Sequence, residues 1–97
     1  MIKIAIIEDD AAQEAELRAY LTKYFSELGR RISITSYAAA DAFLAVFERH
    51  KFNMIFMDIE MPGTNGMEAS RLLRRKDEDV LLFFVTNLAQ YALESYE

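Results

Sequence analysis

Apolar residues follow two different spacings along the chain, and the two alternate from the first residues to the last. One spacing is a short apolar run or a strict alternation, which is typical of β-strands. The run at residues 2–7, Ile-Lys-Ile-Ala-Ile-Ile, is rich in β-branched side chains and ends at Glu8. Four segments of this kind predict strands: residues 2–7, 32–35, 54–57 and 80–85.

The other spacing is helical and fills the segments between the strands. Asp10 is predicted to cap a first helix that ends at Gly29. The later helices are marked by apolar residues from Ala40 to Phe47, by Leu72 and Leu73, and from Ala89 to Tyr96. The aromatic residues at helical spacing are predicted to be core: Tyr20, Tyr24, Phe25, Phe43 and Phe47. His50 is predicted to lie at the carboxyl end of the second helix, and Asn65 with Glu68 resembles a capping box before the third.

Strands that alternate with helices predict an α/β fold with a doubly wound parallel sheet. Residues 32–35 alternate apolar with polar, which fits an edge strand, while the other three strands are apolar on both faces, which fits the interior. A sheet of four strands has two edges, however, and residues 80–85 would be an aggregation-prone edge. We therefore expect a fifth strand to follow in the intact protein, and this chain to self-associate through its fourth strand.

Composition limits the classes of function. The 97 residues suit one domain, and the net charge of −5 makes the segment a poor candidate for nucleic-acid contact. The chain has no cysteine and one histidine, which disfavours a zinc site. No secretory signal and no apolar stretch near ~20 residues is present, so we expect a cytoplasmic location without a membrane span.

Polar residues follow three of the strands directly. Glu8 and Asp9 come after the first, Asp58 after the third and Thr86 after the fourth. The carboxyl ends of parallel strands share one edge of a sheet, where ligands of such folds gather. Clustered carboxylates suit Mg²⁺, and an aspartate beside the metal can accept a phosphoryl group. Read alone, the acids from Glu8 to Asp10 could instead be a solvated helix start.

These motifs resemble the receiver domain of bacterial two-component response regulators. The resemblance rests on Ile-Ile-Glu-Asp-Asp ending at Asp10, on Met-Asp-Ile-Glu-Met-Pro ending at Pro62 and followed by Gly66, and on Val-Thr ending at Thr86. It covers the whole chain, with the motifs in order and at strand ends. It implies a receiver-like sheet in the order 2-1-3-4, with the fifth strand and helix missing after residue 97.

The resemblance also implies a role for each matching position. Asp58 would be the phosphoacceptor and a Mg²⁺ ligand, Asp9 would bind the ion directly, and Glu8 would act mostly through water. The backbone carbonyl of Glu60 would be a further ligand, and Thr86 would hydrogen-bond the phosphoryl group. The implied partners are a sensor histidine kinase and, in the intact protein, a DNA-binding output domain that regulates transcription.

Two positions depart from the family pattern. Glu8 stands where the family more often has aspartate, and the lysine carried by the fifth strand of receivers has no counterpart here. The residues from Thr86 to Glu97 further resemble the branch that carries LytTR-type output domains.

Two other functions remain open. A pseudo-receiver that binds partners without phosphorylation would share the fold. A haloacid-dehalogenase-type phosphatase would share an aspartate nucleophile at a strand end, although Glu60 replaces the aspartate that such enzymes carry two residues later.

Overall fold

A computed structural model of the chain describes residues 1–58 and 66–85. The elements are β1 (Ile2–Ile7), α1 (Ala11–Glu27), β2 (Ile32–Tyr37), α2 (Ala40–Val46), β3 (Met54–Asp58), α3 (Gly66–Lys76) and β4 (Leu81–Val85). The predicted last helix and the predicted capping residue Asn65 lie outside the described residues. No described helix has the length and apolar character needed to cross a membrane.

The strands form one parallel sheet in the order β2-β1-β3-β4. This is the predicted doubly wound sheet with the predicted order, and it confirms β2 as an edge strand. The alternating exposure along β2 agrees with its alternating sequence.

The central strands are apolar on both faces because helices cover both. On one face Ile4 and Ile6 pack with Leu21 and Phe25 of α1. On the other face the core joins β1 and β3 to α2 and α3. It includes Ala5, Ile7, Phe43, Ile55, Met57 and Leu73.

The cap residues of α1 follow the sequence prediction. The side chain of Asp10 accepts hydrogen bonds from the backbone N–H groups of Ala12 at 2.9 Å and Gln13 at 3.1 Å, which stabilises the first turn. Gly29 has φ +68°, a conformation that a residue without Cβ adopts without strain, and the helix ends just before it.

Three predictions about the core and the helix ends were wrong. Tyr20 and Tyr24 are 66% and 57% exposed rather than buried, because α1 covers the sheet only through Leu17, Leu21 and Phe25. His50 lies four residues beyond the end of α2, in a turn with φ 66°.

The fourth strand lies at the edge of the described sheet, as expected for the order 2-1-3-4. Leu81 is 55% exposed, Phe83 42% and Phe84 38%, so apolar side chains face solvent on both sides of β4. Phe83 nevertheless stacks on Phe56 of the neighbouring strand, with ring centroids 5.0 Å apart.

Candidate functional site

Three carboxylates meet at the carboxyl edge of the sheet. Glu8 and Asp9 follow β1 directly and Asp58 ends β3, and these two strands are paired neighbours. A carboxylate oxygen from each of the three lies within 4.8 Å of the others. The structure therefore brings together Glu8, Asp9 and Asp58 as predicted, although they come from two strands about fifty residues apart in the chain.

Glu8 is the buried member of the group, at 7% exposure. Its Oε1 accepts a hydrogen bond of 3.0 Å from the backbone N–H of Asp10, which fixes the carboxylate over the strand end. Its own backbone N–H donates to the carbonyl of Tyr37 at 3.0 Å, so β2 also helps to position the residue.

Burial and the neighbouring carboxylates disfavour a charge on Glu8. Loss of hydration and the negative charges and hydrogen bond of Asp58 and Asp9 together raise the pKa of Glu8 to about 7, against the lowering effect of the Asp10 N–H. A carboxylate in this condition is one that a nearby cation would stabilise strongly. The site therefore favours a positive charge among its three carboxylates.

The donor set fits a hard divalent cation. All three side chains supply oxygen atoms, Asp9 is exposed, and Asp58 is partly exposed, so an ion could enter from solvent. Mg²⁺ binds oxygen ligands and keeps several of its waters, so a few protein carboxylates are enough to hold it.

Two predicted site residues lie outside the described residues. These are Thr86, which follows β4, and Glu60, whose carbonyl was predicted as a ligand. Asp58 itself ends β3 beside Val85, the last residue of β4, in the pairing of the two strands. The position before Thr86 is thus next to the predicted acceptor.

Sequence reasoning missed a second polar cluster, at the opposite edge of the sheet. His50, Asp77 and Asp79 offer ligand-type atoms within 4.8 Å of one another. Asp77 is 2% exposed, and its two oxygens accept backbone N–H groups from His50, Asp79 and Val80 at 2.9, 2.9 and 3.2 Å. This cluster is a structural link between two loops. Asp77 stands two residues before Asp79 and three before Val80, whose N–H groups it accepts. Aspartate at this spacing is a known turn signal, and it could have revealed the turn at Asp77.

Two curated relatives are similar to the chain along nearly all of it. The sensory transduction protein LytT of Oceanobacillus iheyensis is 32% identical over 98 residues, which is 99% of this chain and 38% of the relative. An uncharacterized response regulatory protein of Vibrio cholerae is 32% identical over 94 residues, which is 96% of the chain and 35% of the relative. The chain therefore spans little more than a third of these relatives.

Two solved structures share the fold. The non-phosphorylated HemR receiver domain of Leptospira biflexa has a TM-score of 0.75 at 18% identity, covering 99% of this chain and 74% of that one. The MaeR response regulator bound to beryllium trifluoride has a TM-score of 0.70 at 26% identity, covering 90% of this chain and 68% of that one. At the sequence level, residues 4–96 match the response regulator receiver domain. The chain belongs to the response regulator receiver domain family.

Proposed function

We propose that this chain is a phosphoacceptor domain in which Asp58 receives a phosphoryl group. The observation that carries the proposal is the convergence of Glu8, Asp9 and Asp58 within 4.8 Å at one sheet edge of a receiver-family fold. One oxygen of Asp58 would bond to phosphorus while the bond from phosphorus to the donor breaks and its electron pair leaves with the donor. The product is an acyl phosphate, and no further reactant is needed.

The divalent cation would be held by Asp9, by Glu8 and by Asp58 itself, with the carbonyl of Glu60 as a further ligand. When bound, it supplies positive charge against the phosphoryl oxygens. Glu8 is restrained by the Asp10 N–H, so it contributes its charge without needing to move. Thr86 would donate its hydroxyl to a phosphoryl oxygen, since a hydrogen bond to a charged group is among the stronger ones.

The intact protein would use this chemistry as a switch. The receiver would occupy residues 1–97, accept phosphate from a sensor histidine kinase, and act on an output domain. Similarity to LytT proteins supports an output of the LytTR type that regulates transcription. The domain would assist its own phosphoryl transfer and turn over no other substrate.

The test is phosphorylation by a small donor. Acetyl phosphate with Mg²⁺ is expected to add one phosphoryl group to the protein extended through the segment that follows in its relatives, measured by intact mass. Asp58→Asn should abolish the adduct, and Asp41→Asn, which changes an exposed aspartate of α2, should retain it.

Two results would contradict the proposal. The absence of an adduct, under conditions that label another receiver, would favour a phosphorylation-independent interaction module. Sustained hydrolysis of p-nitrophenyl phosphate, lost in Asp58→Asn, would favour a phosphatase of the haloacid-dehalogenase type.

We also infer that the 97-residue chain self-associates through β4. This strand carries no charge, proline or glycine, and its Leu81, Phe83 and Phe84 side chains are exposed at the sheet edge. Native edge strands normally carry such features to prevent pairing with another chain. Two copies can pair such a strand with itself about a two-fold axis.

Light scattering at increasing concentration tests this association. The wild-type chain should form species larger than a monomer, and Leu81→Lys should shift the distribution towards monomer by placing a charge on the edge. Leu72→Lys on α3 is the matched control, since Leu72 is also an exposed leucine, at 40%. A monomeric wild type at high concentration would contradict the inference.

A further inference from the structure

The cations of this acidic protein are concentrated at the amino edge of the sheet, opposite the carboxylate site. Five exposed residues lie in the segments that begin β1, β2 and β3, and we refer to them as the basic rim. They are Lys3, Arg30, Arg31, Arg49 and Lys51.

Backbone contacts show that these segments are neighbours. The N–H of Ile2 donates to the carbonyl of Arg31 at 2.9 Å, which joins the first residues of β1 and β2. The N–H of Asn53 donates to the carbonyl of Lys3 at 2.8 Å, and the N–H of Lys3 donates to the Asn53 side chain at 2.8 Å. The five cations therefore lie at the starts of three adjacent strands, on one edge of the sheet.

In the described part of the chain, an ordinary structural role accounts for Lys51 and for no other cation of the basic rim. Cations often stabilise the last turn of a helix, but α1 and α2 have no basic residue in their last turns. Lys51 is partly engaged, through its contacts with the Val46 carbonyl at 3.3 Å and the Phe52 ring at 5.9 Å. Within residues 1–58 and 66–85 the ion pair found is Arg18 with Glu14, which involves no cation of the rim.

The end of α3 differs in this respect. Its last turn contains Arg74, Arg75 and Lys76, and the Arg74 guanidinium donates to the carbonyls of Glu78 at 3.1 Å and Val80 at 2.6 Å. Arg74 therefore has a structural role, and the basic rim does not include the cations of this turn.

We propose that the basic rim binds a short acidic segment of a partner protein. At the β2 and β1 end, Lys3, Arg30 and Arg31 lie with one exposed carboxylate, that of Glu27, so this part of the surface is positive although the chain carries −5. Arg49 and Lys51 lie between it and the carboxylates of Asp77 and Asp79, which are within 4.8 Å of His50. Such a local field attracts and orients an anionic partner.

Two features favour a protein segment over a nucleic acid. Leu28 and Met1 border the basic rim and are 55% and 75% exposed, which suits an apolar side chain between acidic ones and offers nothing to a phosphate backbone. The exposed carboxylates of Glu78 and Asp79 stand at the β4 end of the same edge and would repel a longer polyanion. The basic rim crosses three strands, and the outer two strands are about 10 Å apart. An extended peptide of about three to four residues has this length.

Fluorescence anisotropy tests the proposal with a labelled peptide in which glutamates flank two leucines. The peptide should bind the 97-residue chain at about 20 mM salt and release at about 200 mM, because exposed charges are screened. The double variant Arg30→Glu with Arg31→Glu should weaken binding at least about tenfold, from the reversal of two charges. The double variant Arg71→Glu with Arg75→Glu makes the same change of net charge on α3 and should retain binding within about twofold.

Further measurements separate the proposal from its alternatives. The peptide with glutamines in place of glutamates should bind at least about tenfold more weakly. Four results would each overturn the proposal. The glutamine peptide could bind as tightly as the glutamate peptide, or the α3 variant could lose as much binding as the variant of Arg30 and Arg31. The glutamate peptide could fail to bind at low salt, or a short DNA duplex could bind more tightly than the peptide. Sedimentation showing that the Arg30 and Arg31 reversal dissociates the chain's own oligomers would also overturn it, since a second copy would then occupy the surface. Circular dichroism confirms folding, and Lys3→Glu provides a second variant if the double change unfolds the chain.

Discussion

Glu8 occupies a position where its ionised form is disfavoured until a positive charge arrives. The side chain is buried, restrained by the Asp10 N–H and placed beside Asp58, and its pKa is raised from 4.5 to about 7. Because the folded state holds this proton more tightly than the unfolded state does, the stability that Glu8 contributes is complete below pH 4.5. That contribution is lost as the pH rises through about 7.

Glu8→Gln is therefore expected to stabilise the metal-free protein at alkaline pH. Glutamine keeps the oxygen that accepts the Asp10 N–H and removes the charge. The gain in free energy of unfolding should be on the order of 1 kcal/mol at about pH 8 and should shrink towards about pH 4.5. Urea unfolding in a chelator at both pH values measures it, with the exposed Glu16→Gln of α1 as control. An equal gain at both pH values would contradict this electrostatic account.

At the scale of elements, Asp77 joins the loop before β3 to the loop before β4. Its carboxylate accepts the N–H of His50 on one side and those of Asp79 and Val80 on the other. The hydrogen bond from His50, with those from Asp79 and Val80, holds the pKa of Asp77 below its usual 3.8 despite burial. Stability from this carboxylate is therefore present above pH 3.8 and is lost as the pH falls through the lower folded-state pKa.

Asp77→Asn should destabilise the protein by about 1–3 kcal/mol at neutral pH, because an amide nitrogen would face a backbone donor. The difference from wild type should become smaller as the pH falls below 3.8 and through the lowered folded-state pKa of Asp77, because the wild-type carboxylate then binds a proton. Urea unfolding measures both, and Asp79→Asn is the control because the Asp79 side chain is exposed. Equal destabilisation by the two variants would show that the carboxylate of Asp77 does not link the loops.

The alternation of strands with helices was enough to predict the parallel sheet, and the alternating residues of β2 predicted its edge position, whereas the strand order followed from the resemblance to receiver domains. The acids at the ends of β1 and β3 could be predicted to meet because parallel strands place their carboxyl ends together. The exposure of Tyr20 and Tyr24 could not be predicted. Helical spacing shows which residues share a face of the helix, but not how much of that face the sheet covers. The hydrogen bonds from Asp79 and Val80 to Asp77 follow a local turn pattern, but the hydrogen bond from His50 depends on a loop from another part of the chain, which local patterns do not contain.

At the scale of the whole molecule, charge is separated between the two edges of the sheet. Carboxylates gather where β1 and β3 end, and exposed cations gather where β1, β2 and β3 begin. A cation at the acidic edge would relieve repulsion between two adjacent strands and the start of α1. Its binding should therefore stabilise the folded state as a whole.

Cation binding at the three carboxylates is expected to raise the melting temperature of the whole domain. A ligand that binds only the folded state at tenfold its Kd adds about 1.4 kcal/mol, which raises Tm by roughly 4–8 °C per kcal/mol in a domain of this size. Thermal unfolding followed by circular dichroism should show Tm rising with Mg²⁺ and saturating, whereas KCl at equal ionic strength should give a smaller, unsaturated change. Asp9→Asn removes an exposed carboxylate of the site and should abolish the saturable part, while Asp41→Asn should keep it. If Asp9→Asn responds to Mg²⁺ as the wild type does, the three carboxylates do not hold the cation.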